Sequence, residues 1–300
     1  MAEIDAGWAF DRYEEIRDDA RQANFGTASQ FAGNLEDLAG HFDAFILDAF
    51  GVLNRGETAI PGAVDRMARL RAMGKRLIVL TNAASYTRAE GVAKYARLGF
   101  DFSADEVISS RDVAFMGLPR LPGGQQWAAI PAEGDSFPDA PVPLSSLLDD
   151  PDLYATAGGF LFLSSARWGA AENARLIAAL KDNPRPLIVA NPDLVAPRGS
   201  GLTVEPGAYA HEIAQATGVV PRYFGKPHGN AFDAALAALS GIDRARIAMV
   251  GDTLHTDILG GAAAGVATVL ITDHGLFKGR DVAPYIARSG IVPDWIIRTT

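Results

Sequence analysis

Short runs of wholly apolar residues alternate along this chain with longer stretches in which apolar positions recur every three or four residues. Phe45-Ile46-Leu47, Leu77 to Leu80, Ile247 to Val250 and Ala267 to Ile271 are runs of the first kind. Residues apolar on both sides of the pleat predict strands buried on both faces, as in a parallel sheet. Between them the spacing predicts helices from Pro61 to about Met73, from about Thr87 to Leu98, from Asn230 to Leu239 and from Asp257 to Ala264. Local chemistry agrees: Pro61 suits a first helical turn, Thr87 with Glu90 makes a capping box, and Gly74 and Gly99 follow their helices. The strand-helix order predicts an α/β fold with a doubly wound, Rossmann-like parallel sheet. A last strand is expected at Trp295 to Ile297.

That rhythm is broken twice. Trp8 to Ala23 predicts a charged amphipathic helix, followed by an unassigned stretch to about Gly40, so residues 1–40 read as an N-terminal helical extension. From about Phe102 to Val220, breakers such as Pro119, Pro122, Gly123, Gly124 and Pro131 interrupt the pattern. Residues 102–221 are therefore expected to form an inserted α/β domain, with strands at Gly159 to Leu163 and Pro186 to Ala190 around a helix from Ala170 to Lys181. The core domain would then be discontinuous, made of residues 41–101 and 222–300.

Composition excludes several functions. With 300 residues, 48% hydrophobic and 21% charged, the chain can bury a sizeable core and is not globally disordered. Asp and Glu outnumber Lys and Arg 36 to 27, and the resulting net charge of −9 argues against nucleic acid or an anionic membrane as partner. A small anionic substrate would need a local cation. The absence of cysteine removes disulfides, thiolate metal sites and cysteine nucleophiles, so a site must be built from oxygen and nitrogen. Asp5, Asp11, Arg12 and Glu14 interrupt any signal-peptide core, and no apolar stretch approaches the roughly 18 residues of a membrane span. A cytoplasmic location is the expectation.

Three predicted strands end in a polar group: Asp48 after Leu47, Thr81-Asn82 after Leu80, and Asp252 after Gly251. In an open parallel sheet the carboxyl ends of all strands share one edge, where ligands bind at the topological switch point. Asp48, Thr81 and Asp252 can therefore converge. Two carboxylates held together in a partly buried pocket repel, and a divalent cation keeps both ionised; oxygen-only ligands favour Mg2+. Thr81 can donate a hydroxyl, and Lys226, just before a helix start, supplies the local cation. Aspartate, magnesium and lysine around a phosphate suit phosphoryl transfer through an aspartyl-phosphate. Singly, each residue has an ordinary use as turn, helix cap or surface charge; their order and placement at strand ends give them weight together.

That ordered set resembles the haloacid dehalogenase-like superfamily, and within it the NagD-like class of phosphatases with a large α/β cap. The marks are Asp48-Ala49-Phe50-Gly51-Val52-Leu53, Leu80-Thr81-Asn82, Gly225-Lys226-Pro227 and Gly251-Asp252-Thr253-Leu254-His255-Thr256-Asp257-Ile258, with Asn191-Pro192-Asp193 and Pro206-Gly207-Ala208 in support. The resemblance covers roughly Phe42 to Gly275. It implies Asp48 as nucleophile and metal ligand, the Phe50 backbone carbonyl and Asp252 as further ligands to Mg2+, and Asp257 as an outer-shell acid. Thr81, Asn82 and Lys226 would hold the phosphate of a small phosphorylated substrate, such as a sugar phosphate or nucleotide. The insert would be the cap that reads the rest of the substrate. Caps of this size often pair with a second subunit in the proteins it resembles, so a homodimer is a possible assembly.

One position departs from the pattern. The phosphatases of the family usually place a second Asp two residues after the nucleophile, as proton donor to the leaving oxygen; here that residue is Phe50. Its backbone carbonyl is kept and its acid is lost, a step typically worth about 10² to 10⁴ in rate. Candidates to replace it are His255, His228 and a cap residue the sequence does not single out, although a lone loop histidine is more often a surface residue or cap. Alternatives to slow phosphate hydrolysis are a phosphotransferase or phosphonate-type lyase, and a catalytically silent phosphometabolite-binding protein. Asn191-Pro192-Asp193 reads as strong turn chemistry.

Overall fold

A computed structural model of the chain describes residues 5–17, 23–198 and 201–300. The first part holds helix α1 (Ala6–Glu15), strands β1 (Gln30–Ala32) and β2 (Ala44–Leu47), and a small hairpin of β3 (Asn54–Arg55) and β4 (Thr58–Ala59). It continues with α2 (Ala63–Ala72), β5 (Arg76–Thr81), α3 (Arg88–Arg97), β6 (Val107–Ser109) and α4 (Ser110–Met116). The middle holds β7 (Trp127–Ile130), β8 (Leu144–Ser146), α5 (Leu153–Thr156), β9 (Gly159–Phe162), α6 (Ala170–Asp182) and β10 (Leu187–Val189). A second hairpin, β11 (Val195–Arg198) and β12 (Gly201–Val204), leads into α7 (Pro206–Thr217) and β13 (Arg222–Tyr223). The chain closes with α8 (Gly229–Ala238), β14 (Ile247–Gly251), α9 (Leu259–Ala263), β15 (Ala267–Ile271), α10 (Ala283–Ser289) and β16 (Trp295–Ile297).

Among the described residues these strands form two wholly parallel larger sheets. One has seven strands in the order β1-β16-β15-β14-β2-β5-β6; the other has five, β13-β10-β9-β7-β8. The apolar runs explain the first sheet. Alternate residues Ile46, Ile78 and Met249 join Val113, Phe232 and Ala235 of α4 and α8 on one face. Phe45, Leu47, Val79 and Val250 join Met67 and Leu70 of α2 and Tyr95 of α3 on the other. The second sheet turns Trp127, Leu161 and Ile188 into the same cluster as the first sheet's inner face, and buries Phe160, Phe162 and Val189 under Leu176 of α6 and Ile213 of α7.

From β2 the chain moves to β5 on one side and later returns as β14 on the other, so the switch point lies between β2 and β14. Leu47 stands opposite both Val250 and Val79. The residues that follow these strands therefore emerge at one edge.

Four details depart from the sequence expectation. Gln30–Ala32, within the expected extension, adds an edge strand to the seven-stranded sheet; with Phe31 76% exposed it shows no buried alternation. Val107–Ser109 and α4 were expected inside the insert, yet β6 pairs with β5 in the first sheet, while β13 at 222–223 pairs with β10 in the second. Such short strands carry no periodic signal. The N-terminal helix ends at Glu15, and residues 18–22 of its expected span lie outside the described residues. The expected helix from Asp257 begins instead as a wide turn over Leu254–Ile258 that runs into α9.

The two sheets are tied by charge as well as by apolar contact. Arg111 of α4, wholly buried, forks onto the carboxylates of Asp135 and Asp139 in the loop after β7, at 2.7–2.8 Å for Asp139, and donates to the Ala84 carbonyl at 3.3 Å. Replacing Arg111 by Ala strands the buried Asp135 carboxylate. The expected loss is about 3–5 kcal/mol of stability, read as a lower urea midpoint at neutral pH.

Candidate active site

Asp48 leaves β2 at the switch point, with its N–H donating to the Val250 carbonyl at 2.9 Å. Asp252 leaves β14 beside it. One Asp252 oxygen accepts the Leu276 N–H at 2.6 Å, the other the Thr253 hydroxyl at 3.2 Å. Backbone crowds this side chain: a Cβ on Gly275 would lie 1.8 Å from Asp252 Oδ2, and one on Gly51 2.7 Å from its Cγ. Both glycines hold positive φ, +74° and +77°, which only glycine adopts freely.

Lys226 arrives from the connection between β13 and α8. Its backbone is pinned by Asn82, at the end of β5: Lys226 N–H donates to Asn82 Oδ1 at 2.7 Å, and Asn82 Nδ2 donates to the Lys226 carbonyl at 2.9 Å. The Lys226 ammonium donates to Asp48 Oδ1 and, at 2.7 Å, to Asp257 Oδ1. The other Asp257 oxygen accepts the Thr253 N–H at 3.1 Å. One oxygen from each of Asp48, Asp252 and Asp257 lies within 4.8 Å of the others, all three residues being buried.

The charges press on one another. Burial, with the neighbouring Asp257 charge, pushes Asp48 up to about 6 although Lys226 pulls it down. Burial and the charges of Asp48 and Asp257 drive Asp252 well above the carboxylate range. Burial alone would depress the Lys226 ammonium, but Asp257, Asp48 and Asp193 outweigh it and hold the lysine above its ordinary value. Buried carboxylates short of positive charge, with oxygen-only donors at this spacing, fit a hard divalent cation such as Mg2+.

These groups open on a cavity of about 650 Å³ beneath the second sheet. Asp48, Phe50, Thr81, Asn82, Lys226 and Asp252 line it, so the structure brings six of the seven sequence-predicted residues to one surface, with Asp257 directly behind Lys226. Asn82 differs from expectation. Its amide protons go to the Lys226 carbonyl and Asp193 Oδ1 and its oxygen to Lys226 N–H, so the side chain is a strut for Lys226 with no donor left for an anion. Neither His255 nor His228 lines this cavity. The His255 ring meets Glu14 at 2.6 Å and stacks on Tyr13 of α1, and burial lowers its basicity. His228 stacks on Tyr223 in a separate small recess.

Two residues of the cavity wall carry no site role in the sequence reading. Asp193, taken as part of a turn, is half-buried there and accepts from Asn82 at 2.8 Å; desolvation pushes its carboxyl up to about 7 against the pull of Lys226. It comes three residues after the apolar run Pro186 to Ala190, past the end of an expected strand, and that is the available signal. Lys94 stands on the buried stripe of α3 with Gly91 and Tyr95, a charged residue at a core-facing position.

Known proteins bear on this site. Residues 45–136 match the family model described as haloacid dehalogenase-like hydrolase, and residues 223–297 a second model of HAD-hydrolase-like proteins. Chronophin of Rattus norvegicus is 30% identical over 277 residues, covering 88% of this chain and 88% of its own length. Human glycerol-3-phosphate phosphatase is 28% identical over 298 residues, covering 89% and 91%. A crystal structure described as a possible sugar phosphatase from Cytophaga hutchinsonii superposes with a TM-score of 0.77 at 26% identity, over 91% of this chain and 98% of the other. Sequence motifs, sheet order and likeness over nearly the whole length agree: the chain belongs to the haloacid dehalogenase-like hydrolases, in their NagD-like class.

Proposed function

We propose that this protein is a magnesium-dependent phosphohydrolase acting on a small phosphorylated metabolite through an aspartyl-phosphate. The observation that carries the reading is the buried Lys226 ammonium, held between Asp48 and Asp257 with Asp252 beside them at the switch point of the sheet. The relatives named glycerol-3-phosphate phosphatase and possible sugar phosphatase support a phosphate ester as substrate.

Asp48, ionised at neutral pH, attacks phosphorus in line while the ester P–O bond breaks and its electron pair leaves on the ester oxygen. Asp193 holds the proton that this oxygen takes up, standing in for the acid absent at Phe50; a carboxyl near 7 is suited to give it at neutral pH. Water then attacks the phosphorus of the aspartyl-phosphate and returns a proton to the ionised Asp193, the bond to Asp48 breaks with its electron pair returning to the carboxylate, and inorganic phosphate leaves. Lys226 and the Thr81 hydroxyl hold the phosphoryl oxygens, and Asn82 acts on them through Lys226. Asp48, the Phe50 carbonyl and Asp252 would hold Mg2+, which when bound neutralises charge on the transferring group. Asp257, with both oxygens engaged by Lys226 and Thr253, keeps the lysine in place from outside that ligand set. We assign the second sheet, between residues 127 and 223, as the cap that closes on the rest of the substrate.

Three outcomes test this. Asp48→Asn should reduce phosphate release from p-nitrophenyl phosphate in magnesium to background; wild-type protein that binds phosphate tightly without turnover overturns the hydrolase reading. Without metal, the raised carboxyls bind more protons in the folded than in the unfolded state between about pH 4 and 7. Stability should therefore climb as pH falls from 8 to 5. At pH 8, magnesium a hundredfold above its dissociation constant should add about 2.7 kcal/mol, and Asp252→Asn should cancel that gain in a thermal melt. Finally, Asp193→Asn should slow alkyl phosphates by about 10² or more and aryl phosphates much less. In the wild type, alkyl turnover should decline as pH rises through about 7, where Asp193 loses its proton, and the variant should lack that limb.

A further inference from the structure

Lys94 is charged where α3 should be apolar, and its side chain is 8% exposed. It lines the Asp48 cavity, with its ammonium 5.0 Å from the centre of the Phe50 ring and 5.6 Å from that of Tyr86. Both rings also line the cavity. The ammonium pairs at 3.3 Å with Glu57, at the tip of the β3–β4 hairpin, whose side chain is 74% exposed. Among the described residues lining the cavity, Lys226 and Lys94 are the two cations, and Lys226 is held by Asp48 and Asp257. A second ammonium thus stands in the wall on the Phe50 side, with two aromatic faces beside it and one solvent-exposed carboxylate against it. A buried cation with so exposed a partner can exchange that partner for an anion arriving in the cavity.

We propose that Lys94 is a specificity-determining residue that takes a second anionic group, carried on the leaving group of a phosphate monoester, in exchange for Glu57. Phe50 and Tyr86 flank the intervening part of the leaving group, so the favoured substrate is a phosphate ester with an acidic substituent rather than a neutral alcohol phosphate. This deepens the phosphatase reading and rests on it.

The test compares phenyl phosphate with 3- and 4-carboxyphenyl phosphate, in magnesium, on the wild type, Lys94→Met, Lys94→Arg and Glu57→Gln. In the wild type at least one carboxylated ester should exceed phenyl phosphate in kcat/KM by about tenfold, the factor expected for one partly buried charge-assisted pair. Lys94→Met should bring that ratio to about one, chiefly through KM, and Lys94→Arg should restore most of it. Glu57→Gln, a change at an exposed hairpin tip, should raise the ratio further. A wild-type ratio near one, or a ratio indifferent to both Lys94→Met and Glu57→Gln, overturns the proposal. Phenyl phosphate turnover tests the phosphatase reading by itself. If no ester is turned over, that reading fails, and the same ratio taken from dissociation constants by calorimetry still decides the role of Lys94, equal affinities overturning it.

Discussion

Carboxylates buried within 4.8 Å of one another repel too strongly to stay ionised together unless positive charge stands among them. Lys226 is one such charge, against Asp48, Asp252 and Asp257 close by and Asp193 in the cavity wall. One ammonium does not balance four acids, and the upward shifts of Asp48, Asp252 and Asp193 come from desolvation first and from this shortfall second. Two further positive charges would match Asp48, Asp252 and Asp257 exactly in number, provided Asp193 keeps its proton. The same arithmetic that calls for a divalent ion therefore also favours a neutral Asp193, the form in which it can serve as a donor.

The fold holds this charge cluster through backbone rather than through long side chains. Asp48 and Asp252 leave adjacent strands, β2 and β14, and glycine at 51 and 275 lets two loops close over Asp252. Asn82 joins three parts of the chain: it follows β5, clamps both backbone groups of Lys226, and reaches Asp193 beyond β10. The N-terminal segment completes the frame. Phe10 of α1 packs with Leu254, Ile258 and Phe277, and the Tyr13 hydroxyl accepts the Leu194 N–H at 3.1 Å. This segment thus braces the loop after Asp252 and the loop carrying Asp193 at once.

What could be read in advance follows from the same physics. Strands buried on both faces are continuous apolar runs, so β2, β5, β14 and β15, and the polar residues ending them, stand out in sequence. β1 does not, because an exposed edge strand of three residues needs no apolar pattern. β6, of three residues, and β13, of two, are no longer than that, which displaced the expected limits of the second sheet. Asp193 was hidden by its neighbours: Asn191 and Pro192 do form a turn, with Asp193 N–H donating to Asn191 Oδ1 at 3.0 Å, yet the turn aims the carboxylate at Asn82. His255 misled for the opposite reason. It lies inside the loop between Asp252 and Asp257 but faces α1, because a wide turn at 254–258 rotates it away from the cavity.

Phe50 and Lys94 explain each other. The Lys94 ammonium is 5.0 Å from the Phe50 ring. An Asp at position 50 would place its carboxyl close to that cation, and an opposite charge within about 4–6 Å lowers a carboxyl by 1–3 units. The charge there favours the carboxylate over the neutral acid. With Phe at that position the ammonium gains an aromatic face instead, and in the proposed reaction the proton is left to Asp193, where desolvation raises the carboxyl. The proposed acid thus stands where desolvation favours the neutral form against the pull of Lys226, on the loop after β10, and in this reading leaving-group protonation depends on the placement of the second sheet over the first.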